Sequence, residues 1–146
     1  MTVIIGLSNP KSPSNVGGVL RAAGCYEADA VRFSGDRYPR AASFQTDTKN
    51  VVERMPLDHV DDLLANLPPE MKVVCVELAE GASPLTEFQH PDDAIYLFGP
   101  EDGTLEQSLI DAADAVVYVP TVGCMNLSAS VNVVLYDRLA KRNAAV

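Results

Sequence analysis

Short runs of Val, Ile and Leu alternate with helix-like segments along almost the whole chain, and few folds accommodate that rhythm. The strand-like runs are TVIIGLS, DAVRFS, VVERM, KVVCVELA, DAIYLFG and DAVVYVP. Helical patterns fall at 15–24, near 58–66, near 105–113 and from about 126 onward, with a short Ser-Pro-initiated turn of helix near 84. The runs are too continuously apolar to face water on one side, so they need helices above and below. The pattern predicts an α/β fold, a mostly parallel central sheet flanked by helices. One polar, Pro-containing stretch, GDRYPRAASFQTDTKN, interrupts the alternation. There is no repeat, low-complexity segment or dividing linker, and residues 1–146 read as one domain. At 47% hydrophobic content the chain can bury a proper core.

No apolar run approaches the ~18 residues that a membrane span requires. The opening MTVIIGLSNP has no basic region ahead of its apolar run and reads as a first strand, not a signal peptide. Cys25, Cys75 and Cys124 are widely spaced and odd in number, which points to free thiols in a reducing cytoplasm and away from zinc. His59 and His90 stand in acidic, surface-like contexts and are expected to be exposed. With no cluster of His, Cys and carboxylates, no metal is expected.

The net charge of −9 argues against nucleic acid at first sight, because phosphate contacts need cations. The distribution is uneven. Residues 1–54 hold seven basic against five acidic side chains, and the remainder four against fifteen. That asymmetry is compatible with a local anion-binding face, for which Arg21, Arg32, Arg37, Arg40 and Lys49 are the cations, although charge alone suits an ordinary acidic surface equally well.

In open parallel sheets ligands sit beyond the carboxyl ends of the strands, which directs attention to loops 8–15, 34–50, 78–84, 98–104 and 119–126. Three segments there carry candidate chemistry. In SNVGGVLRAAG, residues 14–24, Val16, Val19, Leu20 and Ala23 form the buried stripe, while the opposite face is bare except for Arg21. Glycine inside a helix costs about 1 kcal/mol against alanine, so Gly17 and Gly18 need a reason. Asn15 can cap this helix, and its N-terminus could admit an anion beneath Arg21. Equally, Asn15 is only a cap and Arg21 points to water. In YLFGPEDGTLEQSLID, a strand ends at Gly99-Pro100, Glu101 supplies an acceptor, and Thr104 with Gln107 has capping-box spacing. A tight strand-to-helix turn explains the same pattern. In YVPTVGCMNLSASVNVVLYDRLAKR, Leu127, Val131, Val134 and Leu135 line one side of a helix and Ala129, Val133, Tyr136 and Ala140 the other. A helix apolar on two sides is buried twice, and a second copy of the chain is the natural second partner. Asn126 and Ser128 at its start could cap it or reach a ligand.

Taken in order, these segments resemble the SpoU (TrmH) branch of the SPOUT methyltransferases, which move methyl from S-adenosylmethionine to a ribose 2′-hydroxyl of tRNA or rRNA. Asn15, Gly17 or Gly18, and Arg21 match its N-x-G-x-x-x-R motif. Phe98-Gly99-Pro100-Glu101 with Gly103, then Val119-Pro120, match the second motif, and Cys124-Met125-Asn126-Leu127-Ser128 match S-L-N-x-S. Cys124 stands where the family has serine, and the loop from Pro120 to Asn126 is shorter than the common pattern. The resemblance implies a C-terminal trefoil knot and a homodimer formed through the C-terminal helix. It also implies a cofactor pocket made by Glu77, Leu78, Gly99, Val119, Pro120, Cys124 and Met125. Arg21, Asn15 and Asn126 would be the catalytic set, with Arg21, Glu101 and Ser128 facing the RNA. S-adenosylhomocysteine would be the product, and the setting cytoplasmic. A second reading is a non-catalytic SPOUT-like dimer that binds RNA or S-adenosylmethionine without turnover. The acidic composition and Cys124 favour it, and the retained Asn15, Arg21, Glu101 and Asn126 count against it. An unrelated α/β nucleotide-binding enzyme is a third, weakened by the absence of any phosphate-loop motif.

Overall fold

A computed structural model of the protein describes residues 1–42 and 55–144. In chain order its elements are β1 (Val3–Leu7), α1 (Pro13–Cys25), β2 (Ala30–Phe33), α2 (Arg37–Ala42), β3 (Leu57–His59), β4 (Lys72–Val76), β5 (Ser83–Pro84), a 3-10 turn at Leu85–Glu87, β6 (Ala94–Phe98), α3 (Gln107–Ala112), β7 (Ala115–Tyr118) and α4 (Leu127–Ala144). Among the described residues seven strands form one sheet in the order β3-β2-β1-β6-β4-β7-β5. Every pairing is parallel, with Ile5 opposite both Val31 and Tyr96, and Val74 opposite both Tyr96 and Ala115.

Successive side chains of each strand serve opposite faces, which divides the core in two. Ile5, Leu7, Val31, Val74, Tyr96, Phe98 and Val117 pack with Val16, Val19 and Leu20 of α1 and Val131, Val134 and Leu135 of α4. Ile4, Val73, Cys75, Ile95 and Leu97 pack on the other face with Leu63, Met71, Leu105 and the half-buried Leu109 and Ile110. Burying such a side chain contributes roughly 1.5–3 kcal/mol. The central strands β1 and β6 are buried along their whole length, as continuous apolar runs require.

Helices α1 and α4 lie against each other on one face. A Cβ on Gly18 would stand 2.8 Å from Ser128 Cβ, so Gly18 is the residue that lets the two backbones approach. Gly17 meets nothing within 4 Å and leaves the face below Arg21 open.

Strand β7 lies between β4 and β5, which are consecutive in the sequence. The 77–82 connection joining those two strands therefore passes across the line of β7, where the chain leaving β7 has to get by it.

Four local expectations are corrected. Helix α1 begins at Pro13, and its cap is Ser12, whose Oγ accepts from the Asn15 N–H; a proline at the first helical position loses nothing by lacking an N–H. Residues 58–66 form β3 and turns, not a helix. Asp62 takes the Leu64 N–H on its carboxylate and the Ala65 N–H on its carbonyl, Arg32 takes the Leu63 and Ala65 carbonyls, and Asn66 sits in the left-handed region at φ 58°. The Thr104/Gln107 capping box does not form. Helix α3 begins at Gln107 without a side-chain cap, and Gln107 bonds Asp111 instead. The polar stretch after β2 contains the short helix α2. The strand expected at VVERM falls, but for Met55, outside the described residues.

Candidate functional site

β6, β4 and β7 are neighbours and parallel, so the chain leaves all three at one end of the sheet. Their loops enclose a cleft of about 760 Å³. Val76, Glu77 and Leu78 line it after β4. Phe98 to Glu101 and Gly103 do so after β6, and Tyr118 to Leu127 with Ser130 after β7. Asn15 reaches it from the first turn of α1. All seven residues expected around a cofactor, Glu77, Leu78, Gly99, Val119, Pro120, Cys124 and Met125, are on this lining, as are Asn15, Glu101 and Asn126. Arg21 and Ser128 are not. Arg21 is exposed on α1, and Ser128 bonds Asn126 Oδ1 beside Gly18.

The loops are tied together by carboxylates. Glu101 accepts from the backbone N–H groups of Lys11 (2.9 Å) and Ser12 (2.8 Å) and from Asn15 Nδ2 (3.3 Å). Partial burial opposes its ionisation, but the N–H donors of its own residue, Lys11, Ser12 and Asn15 outweigh that and hold its pKa below the ordinary value. In sequence, the start of α1 offers either an anion site or a plain helix cap. The N–H groups leading into it hold Glu101, which removes the vacancy for an external anion. Glu77 Oε1 accepts from the Leu105 N–H at 2.7 Å, fixing the turn before α3. Gly99 is needed for the same turn, since a Cβ there would stand 2.9 Å from the Leu105 nitrogen. Its close neighbour is therefore the protein's own backbone. Asn126 Oδ1 accepts from the Ala129 N–H at 2.8 Å, so it caps α4 while lining the cleft.

The walls are largely apolar: Val76, Leu78, Phe98, Val119, Val122 and Met125. Leu78 and Val122 are exposed at the mouth, where water is a poor neighbour for them. Val76, Tyr118, Thr121, Val122, Gly123 and Ser130 also line the cleft, none of them a candidate from the sequence. The position of most of them in or beside the 119–126 loop was the available signal. Among the described residues no cluster of three His, Cys, Asp or Glu side chains could hold a metal. The three cysteines are free, Cys25 and Cys124 exposed and Cys75 buried, and burial pushes the Cys75 thiol up to about 11.

Two expectations outside the cleft are corrected. His90 is not exposed. Its side chain is 1% accessible, with Nδ1 2.7 Å from the Tyr96 hydroxyl and Nε2 2.7 Å from Asp137 Oδ2. His59 is exposed and stacks on Phe33. Arg32 is not part of an outward basic strip, because it is spent on the Leu63 and Ala65 carbonyls. Arg37 pairs with Asp102 and Arg40 with Asp36. Lys49 lies outside the described residues. The outer side of α4 does leave Val133, Tyr136 and Leu139 exposed.

Sequence and structure comparisons agree on kinship. The model of the SpoU rRNA Methylase family matches residues 2–136. The tRNA (guanosine(18)-2′-O)-methyltransferase of Escherichia coli K12 is 25% identical over 140 residues, 91% of this chain and 61% of that enzyme. This chain thus spans under two thirds of that relative's length. The SpoU methyltransferase AviRb of Streptomyces viridochromogenes, solved with AdoMet, superposes with a TM-score of 0.79 at 17% identity, over 98% of this chain and 61% of that one. A structure solved in work on 2-OH methylation of C/U34 on tRNA gives 0.77 at 21% identity, over 97% of this chain and 91% of its own. The fold is accordingly the α/β knot that the sequence resemblance implied.

Proposed function

Because the chain belongs to the SpoU rRNA Methylase family, we propose that residues 1–146 form one S-adenosylmethionine-dependent RNA methyltransferase domain that modifies a ribose 2′-hydroxyl of tRNA or rRNA. The observation that carries this reading is the convergence of Glu77, Leu78, Gly99, Val119, Pro120, Cys124 and Met125 on one cleft shared with Asn15 and Asn126. Its volume of about 760 Å³ lies within the range of small-molecule sites. Apolar side chains on facing loops suit a flat heterocycle, and the irregular 119–126 segment offers backbone groups to a ribose and an amino-acid tail. The cofactor supplies an electrophilic sulfonium methyl, which the 2′-oxygen takes with loss of its proton, leaving S-adenosylhomocysteine.

The residues of the chain then act by positioning and charge. Arg21, always protonated, is no simple base. It holds the adjacent phosphate through its fork and stabilises negative charge developing on the 2′-oxygen, with the phosphate or a water taking the proton. Gly17 leaves room for the sugar-phosphate beside it. Arg21 stands outside the cleft lining, so the reacting ribose has to lie between Arg21 and the cleft mouth. Glu101 serves by holding the Asn15 side chain and the start of α1 at the cleft. Val133, Tyr136 and Leu139 give α4 an apolar outer face, which in this reading is covered by a second copy of the chain. Among the described residues no helix is long and apolar enough to cross a membrane, and free thiols suit a reducing cytoplasm.

The deciding experiment is transfer of labelled methyl from S-adenosylmethionine to total tRNA and rRNA, with the modified nucleoside identified. A 2′-O-methylated nucleoside is the expected product. Calorimetry should show cofactor binding that a chelator leaves unchanged. Binding without transfer to any RNA would favour the non-catalytic dimer.

A further inference from the structure

Arg37 ties two neighbouring loops to its own segment. Its Nη1 donates to Asp102 Oδ2 at 2.9 Å and its Nη2 to Asp102 Oδ1 at 3.0 Å. The same Nη2 donates to the Asn9 carbonyl at 2.7 Å. Arg37, Asn9 and Asp102 follow the carboxyl ends of β2, β1 and β6, which are adjacent in the sheet. The surroundings are closely fitted. The Asn9 N–H donates to Ser34 Oγ at 3.2 Å, and Gly35, at φ 83°, lies so close that any Cβ would overlap the Asn9 side chain. Asp102 follows Glu101, whose carboxylate holds Lys11, Ser12 and Asn15. Two consecutive acids thus fasten the 9–15 segment twice, Glu101 directly and Asp102 by way of Arg37.

We propose that Arg37 and Asp102 are positioning residues for the cleft, setting the Gly99–Gly103 wall against Asn15. The inference rests on the methyltransferase reading for its consequence, though not for its geometry. Neither residue lines the cleft, so neither touches cofactor. Their side chains are 30% and 50% exposed, and pairs so open to water usually add little to global stability. What the pair offers is direction. A planar guanidinium that serves two carboxylate oxygens and one carbonyl does so in a single orientation, which an ammonium cannot reproduce. In-line transfer depends steeply on such placement, since a displacement of about 1 Å can cost ~100-fold in rate.

The test compares wild type with Arg37→Lys, Asp102→Asn and the double reversal Arg37→Asp/Asp102→Arg. Four quantities are read: thermal midpoint, cofactor Kd, kcat for methyl transfer, and amide exchange at Lys11 and Ser12. Each single variant should keep a midpoint close to wild type yet lose about tenfold or more in kcat, with faster exchange at the two amides and a weaker Kd. The double reversal should regain part of each. Single variants with wild-type exchange, Kd and kcat overturn the proposal. So does a loss of activity that merely follows the midpoint, or a double reversal no better than the worse single. If wild type methylates no RNA, the proposed function fails, while exchange and Kd still decide the role of Arg37.

Discussion

His90 Nε2 lies 2.7 Å from Asp137 Oδ2, while its Nδ1 lies 2.7 Å from the hydroxyl of Tyr96, which also accepts from Arg138 Nη1 at 3.0 Å. With its oxygen serving Arg138, the tyrosine can give its proton to Nδ1, and Nε2–H can donate to the carboxylate. That arrangement suits neutral imidazole. Burial lowers the pKa of His90, and Asp137 only partly opposes it. Lys141 also pairs with Asp137, so one carboxylate serves both the ammonium and the imidazole N–H. The network fastens the C-terminal half of α4 to the turn before β6.

Since the folded pKa is below the unfolded value of about 6.5, the unfolded chain binds the extra proton more readily in acid. Stability from this group is complete above about pH 6.5 and falls as pH drops through the folded pKa, by about 1.4 kcal/mol per unit of difference. Urea unfolding of wild type and His90→Gln from pH 8 to 5 measures it. The variant should be less stable at pH 8, and the gap should narrow in acid. A constant gap would show that His90 does not titrate differently in the fold.

Arg21→Ala should abolish methyl transfer while leaving cofactor Kd nearly unchanged, because Arg21 is exposed and away from the cleft lining. Arg21→Lys should restore only part of the rate. Filter-binding and single-turnover assays separate the two effects, and wild-type turnover in the alanine variant removes Arg21 from the mechanism.

Gly18→Ala should destabilise the protein by about 1–3 kcal/mol, the usual range for overpacking, as the new methyl meets Ser128 Cβ. Adding Ser128→Gly should recover more than its own helix penalty would allow. Gly17→Ala, with open space around it, should instead be neutral or slightly stabilising. Denaturant midpoints of these three variants and of Ser128→Gly alone check the pattern.

Val133→Glu and Tyr136→Glu place a charge on the open side of α4 and spare the inward stripe. Both chains should fold, and sedimentation velocity is expected to find wild-type dimers and variant monomers. RNA binding should weaken along with the dimer. Folded monomers with undiminished transfer would assign this face to something else.

Among the described residues, two of the expected cations are already engaged within the fold. Arg32 holds backbone carbonyls, and Arg37 is held by Asp102. The salt dependence of RNA affinity should therefore be shallow, with a log–log slope of about −0.7 per phosphate contacted on single strands. A steep slope would reveal a larger basic surface than these residues form.

Much of this was legible in the sequence, for local reasons. Leu127, Val131, Val134 and Leu135 repeat at helical spacing and are buried in α4. The β1 and β6 runs are apolar throughout and occupy the middle of the sheet. Ser12-Pro13 is itself a cap-then-proline signal, overshadowed by Asn15. What escaped depends on distant partners. Val60, Leu63, Leu64 and Leu67 have helical spacing and do pack on the sheet, but Arg32 and Asp62 capture the backbone groups that a helix would use. Thr104 loses its capping role because the helix starts later, at Gln107, while Glu77 from the segment after β4 fixes the Leu105 N–H outside it. His90 is buried by Tyr96 and by Asp137, 47 residues further on, and no local pattern carries that information.

The placement of β7 between β4 and β5 bears on the order in which the molecule can be assembled. If β4 closed on β5 as soon as both were available, the slot for β7 would be lost. The gap has to stay open until residues 115–118 arrive, and α4, which follows β7, is the last element to reach α1. Parallel pairings between remote segments already make for slow folding, and a late insertion adds to the delay. The walls from 118 to 127 are also the last part of the cleft to be put in place. A chain cut before Ala115 would keep the apolar strands and lack the site, exposing sheet edges that invite aggregation.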